Sequence, residues 1–387
     1  MRLPPEFELV AACCRWPADE EVDARIRVAA EGVDWPTVRA VSMRHRVDAL
    51  VAQALKRAGV EMPNDVAGAL QGGATRTLVD NLRLAAECGR LRSGLEAAGV
   101  KPLFVKGVTL AALAYGSLAY KHGWDIDLLV SQGEVEQAAA ALEAAGYELV
   151  LPQAVRSRER IAEWHRHWKE SVWKHRRSGV HAELHTRLSD NPSILSGVGP
   201  ESPRQEVEVA SGIALPTLAR EQLFAYLCVH GASSAWFRLK WIADLGALIG
   251  AASPGEIERL YRRSQELGAG RASAQGLLLA HRLLATAIPP DLLAELEGDR
   301  VNRWMTSLAL RKLAGRTVTR EVTETPLGTA TIHLSQLGLL PGVRYKLSEL
   351  SRQLVRPQDR LAVPLPRPLR FLYPAVSLVR RLARRPA

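Results

Sequence analysis

The spacing of apolar residues changes at residue 101, and this change limits the folds open to the chain. Over the first 98 residues, apolar side chains recur every three or four positions, a pattern typical of amphipathic helices. Glycine or proline at positions 59, 63, 72 and 99 is expected to end them. The predicted helices span 22–30, 35–44, 47–58 and 74–98.

From residue 101 the pattern becomes that of a small α/β unit. Short apolar runs bounded by turn residues predict strands, and longer periodic stretches between them predict helices. The predicted strands are 102–105, 126–130, 147–151 and 180–185. The predicted helices are 109–115 and 134–145. The fold class is therefore α+β, with a core of about 90 residues embedded in helices.

Helical periodicity returns after a stretch rich in Ser, Gly and Pro at 191–216, which we interpret as a loop with one strand at 207–210. Helices are predicted at 218–228, 237–249 and 273–287. The predicted segments are an N-terminal helical segment at 1–98, an α/β core at 99–215, a C-terminal helical domain at 216–340 and a basic tail at 341–387.

Composition narrows the class of protein. The 387 residues carry a formal charge of +10, which favours anionic partners. No stretch of about 18 apolar residues is present, so a membrane span is not expected. The four cysteines form no CxxC pair, which indicates reduced thiols. We therefore expect a cytoplasmic protein.

Asp125 and Asp127 stand two residues apart at the start of an apolar run. Alternate side chains of a strand share a face, so the two carboxylates are expected to point the same way and to repel each other. A hard cation such as Mg²⁺ would remove that repulsion. Solvated acidic residues at a strand end are the alternative.

The strand predicted at 180–185 puts His181, Glu183 and His185 on one face. Glu183 could supply a third carboxylate to a two-metal site for phosphoryl transfer. A zinc site made of the two histidines and Glu183 is the rival interpretation. We favour the first, because the zinc site leaves Asp125 and Asp127 unexplained.

Lys106 and Gly107 lie between the first predicted strand and the helix that follows. Glycine allows the backbone to come close to a ligand, and the amides of a helix N-terminus favour a phosphate. An ordinary strand-to-helix turn would also place a glycine here.

In this order, these features resemble the nucleotidyltransferase superfamily that includes DNA polymerase beta. More narrowly, residues 9–250 resemble a bacterial family of uncharacterised nucleotidyltransferases in which Lys-Gly replaces the usual Gly-Ser. Segments 9–17, 183–185 and 230–244 also fit that family. The chain departs from it at Gly116, Lys121 and Glu183, where the family commonly has Pro, Arg and Asp.

The resemblance implies a polymerase-beta-like core and a set of site residues. Asp125, Asp127 and Glu183 would be catalytic and would bind two Mg²⁺ (or Mn²⁺) ions. Lys106 and Gly107 would hold the β- and γ-phosphates of a nucleoside triphosphate (NTP), the co-substrate, and Lys121 would contact the nucleotide.

Arg238 and Lys240 could reach a phosphate across the cleft, while Trp236 or Trp241 could stack on a base. The alternative is simple helix packing with a Lys240–Asp244 pair.

The implied reaction transfers a nucleoside monophosphate from an NTP to a hydroxyl or phosphate acceptor and releases pyrophosphate. The acceptor could be a peptide or protein, an RNA end or a small metabolite. Two alternatives remain: transfer of another group, such as a sugar, and a nucleotide- or RNA-binding module without turnover.

Two further segments combine cations with apolar residues. Trp164, Trp168 and Trp173 alternate with basic residues; we interpret them as a helix packed on the sheet, with a single-strand binding surface as the alternative. The tail from Arg367 could lie on an anionic membrane surface, or form a solvated or frayed terminal helix.

Overall fold

The computed structural model describes residues 3–153, 155, 157–315, 319–321, 324, 327–355 and 357–383. The chain begins with a helical segment, as predicted. Its helices are α1 (Pro5–Ala12), α2 (Glu20–Ala29), α3 (Trp35–His45), α4 (Asp48–Arg57) and α5 (Asn64–Ala97). Asp19 and Asp34 cap α2 and α3 by accepting backbone N–H bonds. The predicted stop at Gly72 is wrong, because α5 continues through it with Leu70 and Gly73 buried.

The α/β unit also forms as predicted, with one strand more than expected. Its elements are β1 (Leu103–Phe104), α6 (Val108–Tyr115), β2 (Asp125–Leu129), α7 (Val135–Ala144), β3 (Tyr147–Leu151), α8 (Arg158–His167), β4 (Glu170–His175) and β5 (His181–His185). The sheet order is β1-β2-β5-β4-β3. Strands β2 and β5 are parallel and every other pair is antiparallel.

The extra strand, β4, corrects the interpretation of the tryptophan-rich segment. Trp164 is buried on α8, but Trp173 is buried on β4, next to β5. The three tryptophans therefore do not share one helix, and the two outer ones pack in the core. Helical spacing between 164 and 168 concealed the alternation that begins at residue 170.

A hairpin follows the sheet, made of β6 (Arg204–Ala210) and β7 (Ile213–Leu218). Its second strand was not predicted, because a glycine and a proline interrupt the apolar pattern of 211–218. Gly212 turns the chain at a φ of 74°.

Ten helices follow in the described part of the chain. They are α9 (Arg220–Ser233), α10 (Leu239–Ile249), α11 (Pro254–Glu266), α12 (Gly270–Leu284), α13 (Pro290–Gly298), α14 (Arg300–Leu313), α15 (Gly328–Gln336), α16 (Val343–Leu354), α17 (Pro357–Ala362) and α18 (Tyr373–Ala383). The predicted tail thus contains helices that pack together, α16 and α17 both against α18. Arg384 and Arg385 lie outside the described residues.

Two apolar cores lie on opposite sides of the sheet. One joins the N-terminal helices to α9–α14 and to Val105 and Leu129. The other fills the space between α5, α7 and the sheet, with Ile126 and Leu128 at its centre. The helical segments before and after the α/β unit thus share a core. All four cysteines are buried and free.

A search of the described helices for one long and apolar enough to cross a bilayer finds none.

The turn after β1 requires glycine. Gly107 precedes α6 with φ 66° and ψ −126°, a conformation that side chains with a Cβ rarely adopt. Its carbonyl accepts the N–H of Ala111 in the first turn of α6. The loop that carries Lys106 therefore has its shape because residue 107 is glycine.

We expect Gly107→Ala to lower the free energy of unfolding by about 1–3 kcal/mol, because the backbone conformation is unfavourable for alanine. Gly94→Ala is the matched control: Gly94 lies in α5 with open space around it, and alanine there should stabilise by about 0.5–1 kcal/mol. Urea denaturation of both variants checks this, and equal effects would contradict the assignment.

Candidate active site

Parallel pairing of β2 and β5 builds the site. The register places Asp127 opposite Glu183 and Asp125 opposite His181. Because side chains alternate along a strand, the acidic residues share one face while Ile126 and Leu128 enter the core. Ligand atoms of Asp127, Glu183 and His185 all lie within 4.8 Å of one another, close enough to hold one metal ion.

Asp127 is almost completely buried, and two cations compensate its charge. Lys106 Nζ lies 2.8 Å from Asp127 Oδ1, and His185 Nε2 lies 3.3 Å from the same oxygen. Burial alone would raise the pKa of Asp127, but Lys106 and His185 outweigh it and hold that pKa well below its usual range. Asp127 is therefore an anion at neutral pH.

Asp125 has a different environment. Burial and the neighbouring charge of Asp127 raise the pKa of Asp125, and Lys106 only partly offsets them. The expected repulsion between the two aspartates thus destabilises the charged form of Asp125, whereas the charge of Asp127 is compensated by Lys106 and His185. A cation bound beside Asp125 would remove this unfavourable interaction.

His185 links the carboxylates. Its Nε2 lies 3.3 Å from both Asp127 and Glu183, and its Nδ1 lies 3.5 Å from Glu170. Burial lowers the pKa of His185, but its bonds to Asp127 and Glu183 outweigh burial and raise the pKa to about 9. The sequence pattern put His185 on the correct face without showing which groups it contacts. His181 does not belong to the ligand cluster.

A cleft covers this cluster, with α9 and α10 forming its far wall. Most of the residues predicted for the site line it, namely Lys106, Gly107, Lys121, Asp125, Asp127, Glu183 and Lys240. Arg238 does not line the cleft; its guanidinium is 2.8 Å from Glu321 and its carbon lies over the Phe237 ring. Arg238 therefore lies apart from Lys240, with which it was grouped from sequence as a phosphate contact.

Lys121 and Asp244 form a buried ion pair across the cleft base. Lys121 Nζ lies 2.8 Å from Asp244 Oδ2, and the Tyr115 hydroxyl donates to Asp244 Oδ1 over 3.1 Å. The Lys240–Asp244 pair considered from sequence is absent from the described residues, since Asp244 faces Lys121 instead. The nucleotide contact predicted for Lys121 stays a prediction.

Lys240 faces the cleft and makes no ion pair with any described residue. Burial and the nearby Lys121 ammonium lower the pKa of Lys240 to about 7. A phosphate bound in the cleft would be an anionic partner for the Lys240 ammonium.

The cleft residues that were missed from sequence include Arg46, His122 and Trp124. Trp124 is 61% exposed and precedes Asp125, and the Arg46 guanidinium carbon lies 5.2 Å from its ring centroid. An exposed tryptophan beside a strand end could have been noticed, but no local pattern places Arg46 there. Of the tryptophans considered for base stacking, Trp236 is fully buried and Trp241 lines the cleft.

A family comparison agrees with this geometry. The family model described as an uncharacterised nucleotidyltransferase matches residues 31–285, nearly two thirds of the chain. The chain belongs to this family. The matched region contains β1–β5 and all the residues of the ligand cluster, as well as α9 and α10. No curated protein matches the chain significantly.

The Lys121–Asp244 pair gives a stability prediction. Both side chains are less than a tenth exposed, 8% for Lys121 and 6% for Asp244. Lys121→Met leaves a buried, unpaired carboxylate and should lower the free energy of unfolding by about 3–5 kcal/mol.

Tyr115→Phe is the control, because it keeps the ion pair and removes one hydrogen bond, at a cost of about 0.5–1.5 kcal/mol. Denaturant titration measures both. Equal losses would mean that the pair contributes no more than a single neutral hydrogen bond.

Proposed function

We propose that this nucleotidyltransferase moves a nucleoside monophosphate from an NTP to a hydroxyl or phosphate acceptor, releasing pyrophosphate. The observation that carries the proposal is the β2–β5 register, which sets Asp127 opposite Glu183 beneath a cleft lined by Lys106 and Lys240. Carboxylates with adjacent cations suit a reaction that depends on positioning and charge neutralisation. The catalytic residues of this proposal are Asp125, Asp127 and Glu183.

The donor set fits Mg²⁺ or Mn²⁺. Asp125, Asp127 and Glu183 offer carboxylate oxygens, the ligands that hard cations prefer. Asp125 and His181 both lie outside the cluster of Asp127, Glu183 and His185. A zinc site on His181, Glu183 and His185 is less well supported, because the bonds of His185 to Asp127 and Glu183 raise its pKa to about 9, and only a neutral imidazole binds zinc. Bound there, the metal would neutralise the triphosphate and lower the pKa of the acceptor hydroxyl.

The chain's own residues bind and orient the substrate in this proposal. Lys106 and the backbone at Gly107 hold the terminal phosphates, and Lys240 contacts them from the opposite wall. His185 is a positioning residue that holds Asp127 and Glu183 at a fixed separation. Trp124, at the cleft mouth, offers an exposed ring on which the nucleobase can stack.

The acceptor class is left to experiment. Incubating the protein with each NTP, Mg²⁺ or Mn²⁺ and candidate peptides, RNA ends or metabolites, followed by mass spectrometry, identifies both the transferred group and the acceptor. A nucleoside monophosphate mass shift supports the proposal. A sugar mass shift from an activated nucleotide donor would replace it, and NTP binding without pyrophosphate release would indicate a binding module.

The two aspartates should respond differently to neutralisation. Asp125→Asn and Asp127→Asn should each reduce pyrophosphate release by about a hundredfold or more, because each removes a metal ligand. Without metal, Asp125→Asn should keep or raise the melting temperature by relieving repulsion. Asp127→Asn should lower it, since Lys106 and His185 lose their partner.

Activity of either variant close to that of the wild type would contradict the two-aspartate site. Melting temperatures that change in the same direction would contradict the different charge environments of the two residues.

A second pair of variants separates magnesium from zinc chemistry. Glu183→Gln should cost about a hundredfold or more in rate, whereas His181→Ala on the same strand face should cost little. Metal analysis of protein purified without chelator should find no stoichiometric zinc. One tightly held zinc per chain, lost together with activity in His181→Ala, would favour a hydrolytic metalloenzyme.

A further inference from the structure

Nearly all of the chain's net charge lies in its last 47 residues. Residues 341–387 contain eleven Arg and Lys against two acidic residues, a net charge of +9 of the chain's +10. The preceding 340 residues are close to neutral, at +1. This segment lies beyond residue 285, where the family match ends.

Both acidic residues of the segment are buried, and each is paired with an arginine of the same segment. Glu349 is 1% exposed and bonds Arg352 and Asn191; Asp359 is 1% exposed and lies 2.8 Å from Arg380. Glu349 therefore joins α16 to the loop that carries Asn191, and Asp359 joins α17 to α18. The charge presented to solvent is positive.

The same segment exposes apolar side chains to an unusual extent. Of the nineteen exposed large hydrophobic residues in the described part of the chain, nine lie between residues 343 and 379. Four of them follow α16 at spacings of four, three and four residues, and so form one stripe along the helix. The α16 stripe consists of Val343, Leu347, Leu350 and Leu354, which are 71%, 62%, 42% and 52% exposed.

Further exposed apolar residues lie in a 3-10 helix (Arg367–Leu372) and in α18, which follows it. Leu369, Phe371, Leu372, Leu378 and Val379 are each at least 39% exposed, and each lies within two residues of Arg370 or Arg380 in the sequence. An exposed apolar stripe along a helix marks an interaction site in a folded protein. Apolar side chains bordered by Arg and Lys, without free acidic groups, are complementary to anionic lipid headgroups over an acyl layer.

We propose that the described residues 343–355 and 357–383 form a peripheral membrane-binding surface for anionic phospholipid. The α16 stripe and the apolar residues of 369–379 enter the headgroup boundary, and the basic residues contact the lipid phosphates. RNA would use the same cations, but the exposed residues are aliphatic apart from Phe371, and bases stack on aromatic rings. The proposal does not depend on the transferase activity.

Vesicle co-sedimentation of the full chain tests the proposal. We expect binding to vesicles of phosphatidylcholine mixed with phosphatidylglycerol, little binding to phosphatidylcholine alone, and release by added salt. Leu347→Gln with Leu350→Gln should lower the partition coefficient by about tenfold or more, because two insertable side chains are lost.

The matched control is Leu78→Gln with Leu82→Gln, a similarly spaced exposed pair on α5 outside this surface, 37% and 48% exposed. It should bind like the wild type, and both double variants should keep the wild-type melting temperature. Equal vesicle binding by both double variants would overturn the proposal. Binding of the protein to RNA without binding to anionic vesicles would also overturn it. So would a dimer in solution that dissociates when Leu347 and Leu350 are replaced.

Discussion

The parallel pairing of β2 with β5 is the constraint on which the rest of the site depends. Strands that are distant in sequence meet so that Asp127 faces Glu183, and a slip of either strand by one residue would turn its carboxylate into the core. The burial of Ile126, Leu128, Ala182 and Leu184 fixes this register. Packing on one face of the sheet therefore determines the chemistry available on the other.

Charge compensation explains how the carboxylate of Asp127 can be buried in this cluster. Lys106 and His185 both contact its carboxylate, so a buried anion is left with two hydrogen-bonded partners. Asp125 lacks equivalent partners and has the less favourable environment. The site thus combines the stabilised carboxylate of Asp127 with that of Asp125, whose charged form a bound cation would stabilise.

Much of this arrangement could be predicted from the sequence, because its main signals are local. A short apolar run identified the strand at Asp125 and Asp127, period-two alternation identified the strand that carries Glu183, and helical periodicity identified most of the flanking helices. Non-local contacts could not be predicted. The partner of Lys121 is 123 residues away at Asp244, and Arg238 is drawn from the cleft by Glu321. Strand β4 was not predicted, because a buried tryptophan is compatible with a helix and with a strand equally well.

The Lys121–Asp244–Tyr115 contacts have a consequence for how substrate is captured. They fasten the segment before β2 and the end of α6 to α10, so the near and far walls of the cleft are held together by a desolvated bridge. Such walls cannot separate without exposing an unpaired charge. The entropy of ordering the cleft is therefore lost during folding, and in the proposed function a nucleotide would bind to a preorganised cleft instead of one that must close around it.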